Sequence, residues 1–451
     1  MAIRLTERTE RWRIKKDRMR RGMGLTRRRG WRGGGKTVLL TVALTLAAVG
    51  VAYGALRLSN LLVWNGSGAQ SSTAELPLES RSMPEEGSAA VASEPAVSQP
   101  EKIGIGRLSM QDLFAGYYKA AEKKAEQMTV REKVGQVFLF RCPASGQLEA
   151  LETYQPAGYC LMADAFADKT KEQVRAMTDS FQAASDIPLA LCCDEEGGTV
   201  VRVSRYPALA GQRFQSPQQV FARGGMDAVR ADTVDKIELL RELGLNMNLA
   251  PVADVSTNPS DFIYDRSFGR PAEETAAFIR TSVNVYEANG FSCVLKHFPG
   301  YGNNADTHTG IAYDSRSYDT FLNSDFIPFE AGISAGAPCI LVSHNIVTAI
   351  DPDAPATLSG RVHEVLREEL GFSGVVITDD LSMEAVPQYT GGKNPAVQAF
   401  NAGNDLLLST YYADDFTALY DAVQSGVVSE ERLDESVIRV LAWKYAMGIL
   451  Y

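Results

Sequence analysis

Short apolar runs alternate with longer amphipathic segments from about residue 108 to the C-terminus. The apolar runs are residues 134–140, 158–162, 188–193, 246–252, 293–295, 339–342, 375–377 and 405–408. Helical patterns between them include residues 172–184, 227–243, 273–289 and 361–370. Eight strands, each followed by a helix, predict a single α/β domain of the (β/α)8 TIM-barrel type over residues 108–451. The number of strands leaves a doubly wound open sheet as the alternative.

Polar residues come just after several of the apolar runs. They are Asp194 with Glu195 and Glu196, Asp254, Lys296 with His297, His344, and Asp379 with Asp380. These positions are the carboxyl ends of the predicted strands, where barrel enzymes build their active sites. Because polar side chains from at least five strands converge on one face, the pattern favours the closed barrel over the open sheet.

The N-terminal region has a different composition. Residues 1–36 contain fourteen Lys or Arg and three acidic residues, and residues 37–56 contain no charge. An apolar helix of that length spans ~30 Å, about one bilayer core, so we expect a transmembrane helix or signal anchor. The positive-inside rule then places residues 1–36 in the cytoplasm and the barrel outside the cell membrane. Cleavage as a signal peptide, with secretion of the barrel, is the alternative.

Within residues 57–107, the stretch 65–103 is rich in Ser, Ala, Gly, Glu and Pro. A segment of this composition buries too little apolar surface to fold, so it predicts a flexible linker. The linker would let the barrel work at some distance above the membrane.

The sequence carries no motif for a cofactor. It has neither a Gly-x-x-x-x-Gly-Lys-[Ser/Thr] phosphate loop nor a Gly-x-Gly-x-x-Gly at a helix start. We expect His363 on a helix surface, and the other three histidines lack metal-ligand spacing. We therefore predict no cofactor and no metal. The uncharged run 37–56 directly after the basic segment indicates a membrane anchor rather than a nucleic-acid arm, so we predict no nucleic-acid partner. The six cysteines lie in or beside predicted strands, so we expect buried free thiols, with disulfides as the alternative.

Residues 296–308 concentrate ionisable groups on one Gly/Pro-rich segment. Lys296 and His297 follow an apolar run, and Asp306 and His308 lie two residues apart. The second spacing lets a carboxylate orient an imidazole, which is a common means of moving a proton near neutral pH. On this segment alone, a structural role for the pair is the alternative.

Five motifs together resemble family 3 glycoside hydrolases and, within them, the β-N-acetylglucosaminidase (β-hexosaminidase) branch. They are DEEGGTVVR at 194–202, APVAD at 250–254, DRSFG at 265–269, KHFPGYGNNADTH at 296–308 and ITDDLSM at 377–383. The resemblance covers residues 108–451. It implies a barrel that hydrolyses terminal β-linked N-acetylglucosamine with retention of configuration, by way of a covalent glycosyl-enzyme. The membrane anchor suggests cell-wall peptidoglycan fragments as the carbohydrate substrate.

The resemblance also implies a role for each matching position. Asp379 matches the nucleophile, and His308 matches the general acid/base that Asp306 orients. The positions that match sugar-binding residues of the −1 subsite are Asp194, Arg202, Arg266, Lys296 and His297. A β-N-acetylglucosaminide phosphorylase and an inactive wall-binding barrel are the functional alternatives.

Several residues near these positions have a structural interpretation. For Arg202 and Arg266 it is an ion pair with an acid at the barrel top. Asp380 fits a helix cap or a solvated acid, Asp254 fits a structural acid, and His344 is expected to line the site. Tyr301 stands where most relatives have a second histidine. The stretch from Gly302 to Asp306 is one residue shorter than in those relatives.

Overall fold

Eight parallel strands form the central sheet of the computed structural model, which describes residues 108–109 and 112–451. The strands are β1 (Phe138–Arg141), β2 (Gly158–Cys160), β3 (Ala190–Cys193), β4 (Met247–Asn248), β5 (Ser292–Phe298), β6 (Cys339–Val342), β7 (Val375–Thr378) and β8 (Leu407–Ser409). Neighbouring strands follow the order β8-β1-β2-β3-β4-β5-β6-β7. A parallel bridge between Ile377 and Leu406 joins the two end strands, so the sheet is a nearly closed barrel rather than an open one.

Helices surround this barrel and connect its strands. The α-helices are Ala115–Ala125, Val130–Gly135, Gln147–Tyr154, Lys171–Ala183, Pro207–Ala210, Pro217–Glu242, Ala272–Ala288, Tyr318–Thr320, Phe326–Ser334, Gly360–Glu364, Ala385–Thr390, Ala396–Ala402, Tyr412–Gln424 and Glu430–Ala446. The 3-10 turns Ala163–Phe166 and Ala356–Leu358 and the π-helical segments Phe321–Asp325 and Val365–Glu369 complete the helical structure of the described residues. Two short strands, Tyr313–Asp314 and Ile346–Val347, pair with each other outside the barrel.

The hydrophobic pattern located most helices and strands correctly, but it assigned the end of one helix to a strand. Residues 134–140 were predicted as a strand, but Val130–Gly135 is a helix and the strand begins at Phe138. Thr129 and Glu132 form a reciprocal capping box at the start of this helix. An apolar run does not distinguish a buried helix end from a strand, whereas the capping box is the sequence signal that does.

The prediction of buried free thiols is confirmed for five of the six cysteines, and the prediction for one histidine is wrong. All six cysteines are free thiols; five are buried and Cys142 is partly exposed. His363 was expected on a helix surface, but it is buried and its Nδ1 lies 2.8 Å from the carbonyl oxygen of Ser359. Burial lowers the pKa of His363 to about 4, so this histidine is a neutral part of the core.

The predicted basic segment (1–36), membrane span (37–56) and linker (57–107) lie outside the described residues. Within the part of the chain that the structure describes, no helix is both long and apolar enough to cross a membrane.

Candidate active site

A cavity of about 430 Å³ opens at the carboxyl ends of the barrel strands. Seven of the eight predicted site residues line it: Asp194, Arg202, Arg266, Lys296, His297, His308 and Asp379. The eighth, Asp306, contacts the side chain of His308. The cavity wall also contains Arg141 at the end of β1 and apolar side chains that include Met162 and Met383. The structure therefore brings together predicted site residues that the sequence separates by up to 185 positions, from Asp194 to Asp379.

Lys296 lies at the centre of a charged network on the cavity floor. Its Nζ is 2.7 Å from Asp194 Oδ1 and 2.7 Å from Glu196 Oε1. Arg202 Nη2 donates to Asp194 Oδ2 at 3.0 Å, and Arg266 binds Glu196 through two hydrogen bonds of 2.8 and 3.0 Å. Two carboxylates thus neutralise most of the charge of three cations, with every side chain held by at least one partner.

Each member of this network is kept ionised by its neighbours. Burial would raise the pKa of Asp194, but Lys296 and Arg202 outweigh that effect and lower it. Burial would likewise raise the pKa of Glu196, and Arg266 and Lys296 lower it far below its usual range. Burial would lower the pKa of Lys296, yet Asp194 and Glu196 raise it. The cavity floor is therefore a fixed array of charges at neutral pH.

His297 is held in one neutral tautomer by the residues on its two sides. Arg266 Nη2 lies 3.1 Å from His297 Nε2, and a guanidinium can only donate. Nε2 therefore accepts, and the ring proton is on Nδ1, which lies 2.8 Å from Asp254 Oδ2. Asp254 also accepts the backbone N–H groups of His297 and Tyr301, so it is the structural acid that the sequence predicted.

Glu195 and Glu196 have different tasks that sequence analysis did not separate. Glu195 is buried and accepts the backbone N–H groups of Arg202 and Val203 at 3.0 and 2.7 Å. This bond pair folds the turn that delivers the Arg202 side chain to the cavity. Glu196 instead points to Lys296 and Arg266. Three consecutive acids, Asp194 to Glu196, directly follow β3. Because successive side chains along a strand point in different directions, this run could have indicated that the three acids have different partners.

Asp379 and Asp380 also differ in their surroundings, although both line the cavity. Asp379 has one hydrogen bond to its side chain among the described residues, in which Oδ1 accepts the N–H of Asp380 at 2.9 Å. Asp380 accepts from Ser382 N at 2.9 Å and from Thr410 Oγ1 at 2.6 Å. The side chain of Asp380 therefore stabilises the loop after β7, whereas Asp379 has one carboxylate oxygen that is free to contact a ligand in the cavity.

His344 stands behind this pair. It is buried, and its Nε2 donates to the carbonyl oxygen of Asp380 at 3.0 Å. Burial lowers the pKa of His344, so it remains neutral. It supports the loop after β7 but is absent from the cavity lining, where the sequence analysis had expected it.

Asp306 and His308 form the predicted pair on the loop that follows β5. Asp306 Oδ1 lies 2.7 Å from His308 Nδ1 and accepts the backbone N–H of His308 at 2.9 Å. The His308 side chain is 58% exposed, and its Nε2 has no hydrogen-bond partner among the described residues. The carboxylate therefore fixes one ring nitrogen and leaves the other free at the cavity. No described group of three or more His, Cys, Asp or Glu side chains could hold a metal ion.

A barrel whose strand ends surround a cavity lined with fixed charges is the architecture of a barrel enzyme. The model of the glycosyl hydrolase family 3 N-terminal domain matches residues 129–443. The chain belongs to this family, and it is a glycoside hydrolase.

Relatives and solved structures agree with this assignment. The chain is 35% identical over 256 residues to a β-hexosaminidase of Xanthomonas campestris pv. campestris, an alignment that covers 56% of this chain and 76% of that protein. It is similar to a family 3 β-N-acetylglucosaminidase structure from Paenibacillus, with a TM-score of 0.66, 30% identity, and coverage of 71% of this chain and 63% of that one. It is also similar to a β-N-acetylhexosaminidase structure from Beutenbergia cavernae, with a TM-score of 0.63, 27% identity, and coverage of 71% and 99%.

Proposed function

We propose that this protein is a retaining, exo-acting β-N-acetylglucosaminidase that removes terminal β-linked N-acetylglucosamine, with peptidoglycan fragments as its substrate. The observation that carries the proposal is the pairing of two free groups at one cavity. Asp379 offers an oxygen without a hydrogen-bond partner among the described residues, and His308 offers a free Nε2. The β-hexosaminidase and β-N-acetylglucosaminidase relatives support the choice of sugar.

In the proposed mechanism, Asp379 attacks the anomeric carbon and forms a covalent glycosyl-enzyme. His308 gives a proton to the departing glycosidic oxygen and then takes one from the incoming water. Asp306 orients the ring through its 2.7 Å contact with Nδ1 and stabilises the imidazolium. The imidazole thus replaces the second carboxylic acid that most retaining hydrolases use.

The fixed charges on the cavity floor would bind the sugar hydroxyls. Asp194, Arg202 and Lys296 are held in place by one another, so little ordering remains when a sugar arrives. Arg202 Nε is a buried donor without a partner in the described part of the chain, and a sugar hydroxyl would satisfy it. Arg266 and His297 complete this proposed −1 subsite, with Arg266 also stabilised by its ion pair with Glu196.

A chromogenic assay tests the activity directly. The purified protein should release nitrophenol from a nitrophenyl β-N-acetylglucosaminide much faster than from the β-glucoside. Release at the same rate in phosphate and in a phosphate-free buffer indicates a hydrolase, whereas dependence on phosphate with formation of a sugar 1-phosphate indicates a phosphorylase. Absence of turnover on every N-acetylglucosaminide would leave only the wall-binding alternative.

We further propose that residues 37–56 anchor the protein in the cell membrane, with residues 1–36 in the cytoplasm and the barrel outside. The support is the sequence pattern of fourteen basic residues ahead of an uncharged twenty-residue run. Protease added to intact protoplasts should release a fragment of about the size of the barrel by cutting within residues 65–103. A barrel that stays protected until the cells are lysed would contradict this topology.

A further inference from the structure

The loop that carries Asp306 and His308 projects from the barrel, and its position must be fixed by contacts elsewhere. It leaves β5 at Phe298, and the exposed His308 ring contributes little packing of its own. A general acid functions only when its proton lies within hydrogen-bond reach of the leaving oxygen. The contacts that hold this loop therefore bear on the proposed chemistry.

Arg316 fixes the base of the loop. Its Nη2 donates to the carbonyl oxygen of Gly300 at 3.1 Å, and its other bonds go to Asp314 and Asp325. The fit is close, because a Cβ atom at Gly302 would lie 2.1 Å from Arg316 Nη1. These contacts end at Gly302, four residues before Asp306, so they do not by themselves hold the acid/base pair.

Tyr301 reaches further along the same loop. Its hydroxyl forms a 2.6 Å hydrogen bond with the hydroxyl of Thr307, the residue between Asp306 and His308. Both side chains are buried, with exposures of 1% for Tyr301 and 0% for Thr307. Burial raises the pKa of Tyr301, so the phenol remains protonated and the hydrogen bond persists at neutral pH.

Tyr301 also contacts residues of the cavity floor. Its backbone N–H donates to Asp254 Oδ1 at 2.7 Å, and the other oxygen of Asp254 holds His297. The Tyr301 ring also stands edge-on to the His297 ring, with centroids 5.1 Å apart. One residue thus connects a proposed sugar-binding histidine to the centre of the acid/base pair.

We propose that Tyr301 is a positioning residue for the general acid/base, which acts by holding the Asp306–His308 loop over the cavity through its hydroxyl bond to Thr307. The proposal rests on the proposed role of His308. A phenol suits this task because it is rigid and long enough to place a hydroxyl beneath the loop. Because Asp254 contacts both His297 and Tyr301, it fixes the position of the loop relative to the cavity floor.

Hydrogen–deuterium exchange tests the hydrogen bond independently of activity. In Tyr301→Phe, the amides of residues 302–309 should exchange about five- to tenfold faster than in the wild type, in keeping with loss of one hydrogen bond. The matched control is Tyr159→Phe, which removes a buried tyrosine hydroxyl that donates to the Gln147 carbonyl oxygen at 2.7 Å. The control should leave exchange of residues 302–309 unchanged. Unchanged exchange in Tyr301→Phe would overturn the proposal.

Leaving-group dependence tests positioning of the acid. Tyr301→Phe should lower kcat about five- to tenfold for a disaccharide, whose sugar alkoxide needs a proton, and less than twofold for an activated nitrophenyl glycoside. KM should change little for either substrate. Equal losses on the two substrates would overturn the positioning role even if the loop exchanges faster.

A double-mutant cycle ascribes the effect to the hydroxyl pair. Thr307→Val should reproduce the loss in kcat, and Tyr301→Phe combined with Thr307→Val should lose no more than either single change. Additive losses would show that the two hydroxyls act separately and would contradict the proposal. A wild-type protein inactive on every N-acetylglucosaminide would refute the proposed function, while the exchange experiment would still decide whether the hydrogen bond holds the loop.

Discussion

Both ends of the barrel contain a cluster of buried charges, and the two clusters are built in opposite ways. At the carboxyl ends of the strands, Lys296 lies between the carboxylates of Asp194 and Glu196. At the amino ends, a single carboxylate, Asp405, binds two guanidiniums, which belong to Arg367 and Arg439. The upper cluster faces a cavity of about 430 Å³, whereas Asp405 is fully buried.

The lower cluster is enclosed by the protein, although the buried Nε atoms of Arg367 and Arg432 have no hydrogen-bond partner in the part of the chain that the structure describes. Arg367 donates to the carbonyl oxygens of Phe372 and Gly374, and Arg432 donates to those of Phe400 and Asn404. Burial lowers the pKa of Arg367 and of Arg432 to about 10 each, yet both remain charged at neutral pH. These buried side chains fix helices to the barrel, and none of them lines the cavity at the carboxyl ends of the strands.

Two buried lysines, Lys296 and Lys444, differ in the same way, because only the first has acidic partners that keep it charged. Lys296 has two carboxylates, and together they raise its pKa despite burial. Lys444 has a hydrogen bond from its Nζ to Gln136 Oε1 at 2.8 Å, and burial lowers its pKa to about 7. The two carboxylates thus keep Lys296 charged beside the cavity, whereas burial favours the neutral form of Lys444 in the core. We expect substitutions at the top to change activity and those at the bottom to change stability.

The largest effect is expected from Asp379→Asn. Removal of the proposed nucleophile should reduce kcat by about 10⁴-fold or more, while the melting temperature stays near that of the wild type because the two side chains have the same shape. Asp380→Asn is the matched comparison and should lose less, since Asp380 is engaged by Ser382 and Thr410. If the two variants lost activity equally, the assignment of separate roles would be wrong.

His308→Ala should have the next largest effect, and its size should depend on the leaving group. Loss of the proposed proton donor should lower kcat about 10²- to 10⁴-fold for a disaccharide. An activated nitrophenyl glycoside departs without protonation, so its loss should be much smaller. Asp306→Asn should follow the same pattern more weakly, because the ring remains but is less well oriented. Steady-state kinetics on both substrates measures this, and uniform losses would point to a binding role.

Asp405→Asn should separate the two ends of the barrel. Loss of this charge leaves buried guanidiniums uncompensated and should destabilise the protein by about 3–5 kcal/mol, measured by denaturant unfolding. Below the melting transition, kcat should stay within about twofold of the wild type. Asp227→Asn, which breaks an exposed pair with Arg230, should change stability by less than about 1 kcal/mol. A small effect of Asp405→Asn would contradict the structural role of the lower cluster.

The upper cluster could be predicted from the sequence far better than the lower one. Asp194 and Lys296 of this cluster each come just after an apolar run, as does Asp379 in the same cavity, and parallel strands bring such ends together at one edge. Arg367, Arg432 and Arg439 lie on helices, where a charged residue is ordinarily solvated. Their burial depends on how those helices pack around Asp405, and no local pattern specifies that packing.

The same limit explains the individual errors. His363 was expected on a helix surface, but the backbone of Gly403 passes close beside its ring. The bond between Tyr301 and Thr307 depends on the path of a loop, which periodicity does not encode. The role of Asp254 was predicted because this residue comes just after the apolar run 246–252. Its two partners, His297 and Tyr301, were not predicted. The sequence thus predicts which polar residues lie at the ends of strands, but it does not predict which side chains they contact.

The smallest effect is expected from Lys444→Met. The folded pKa of Lys444, about 7, lies below that of an unfolded lysine, so the unfolded state binds more protons between about pH 7 and 10. Wild-type stability should therefore gain up to about 1.4 kcal/mol per pH unit from this group as the pH rises through that window. Urea unfolding at pH 7 and 9 should show a smaller gain in Lys444→Met, whereas the exposed Lys119→Met should behave like the wild type. An unchanged gain would mean that Lys444 is charged in the core.

Covalent labelling tests the central claim most directly. A fluorinated β-glycosyl donor with a good leaving group should trap the glycosyl-enzyme, and mass spectrometry of the digested protein should locate the adduct on Asp379. His308→Ala should still be labelled, because this donor departs without a proton, and Asp379→Asn should not be labelled. An adduct on Asp380, or turnover of the donor with no adduct on any aspartate, would contradict the account.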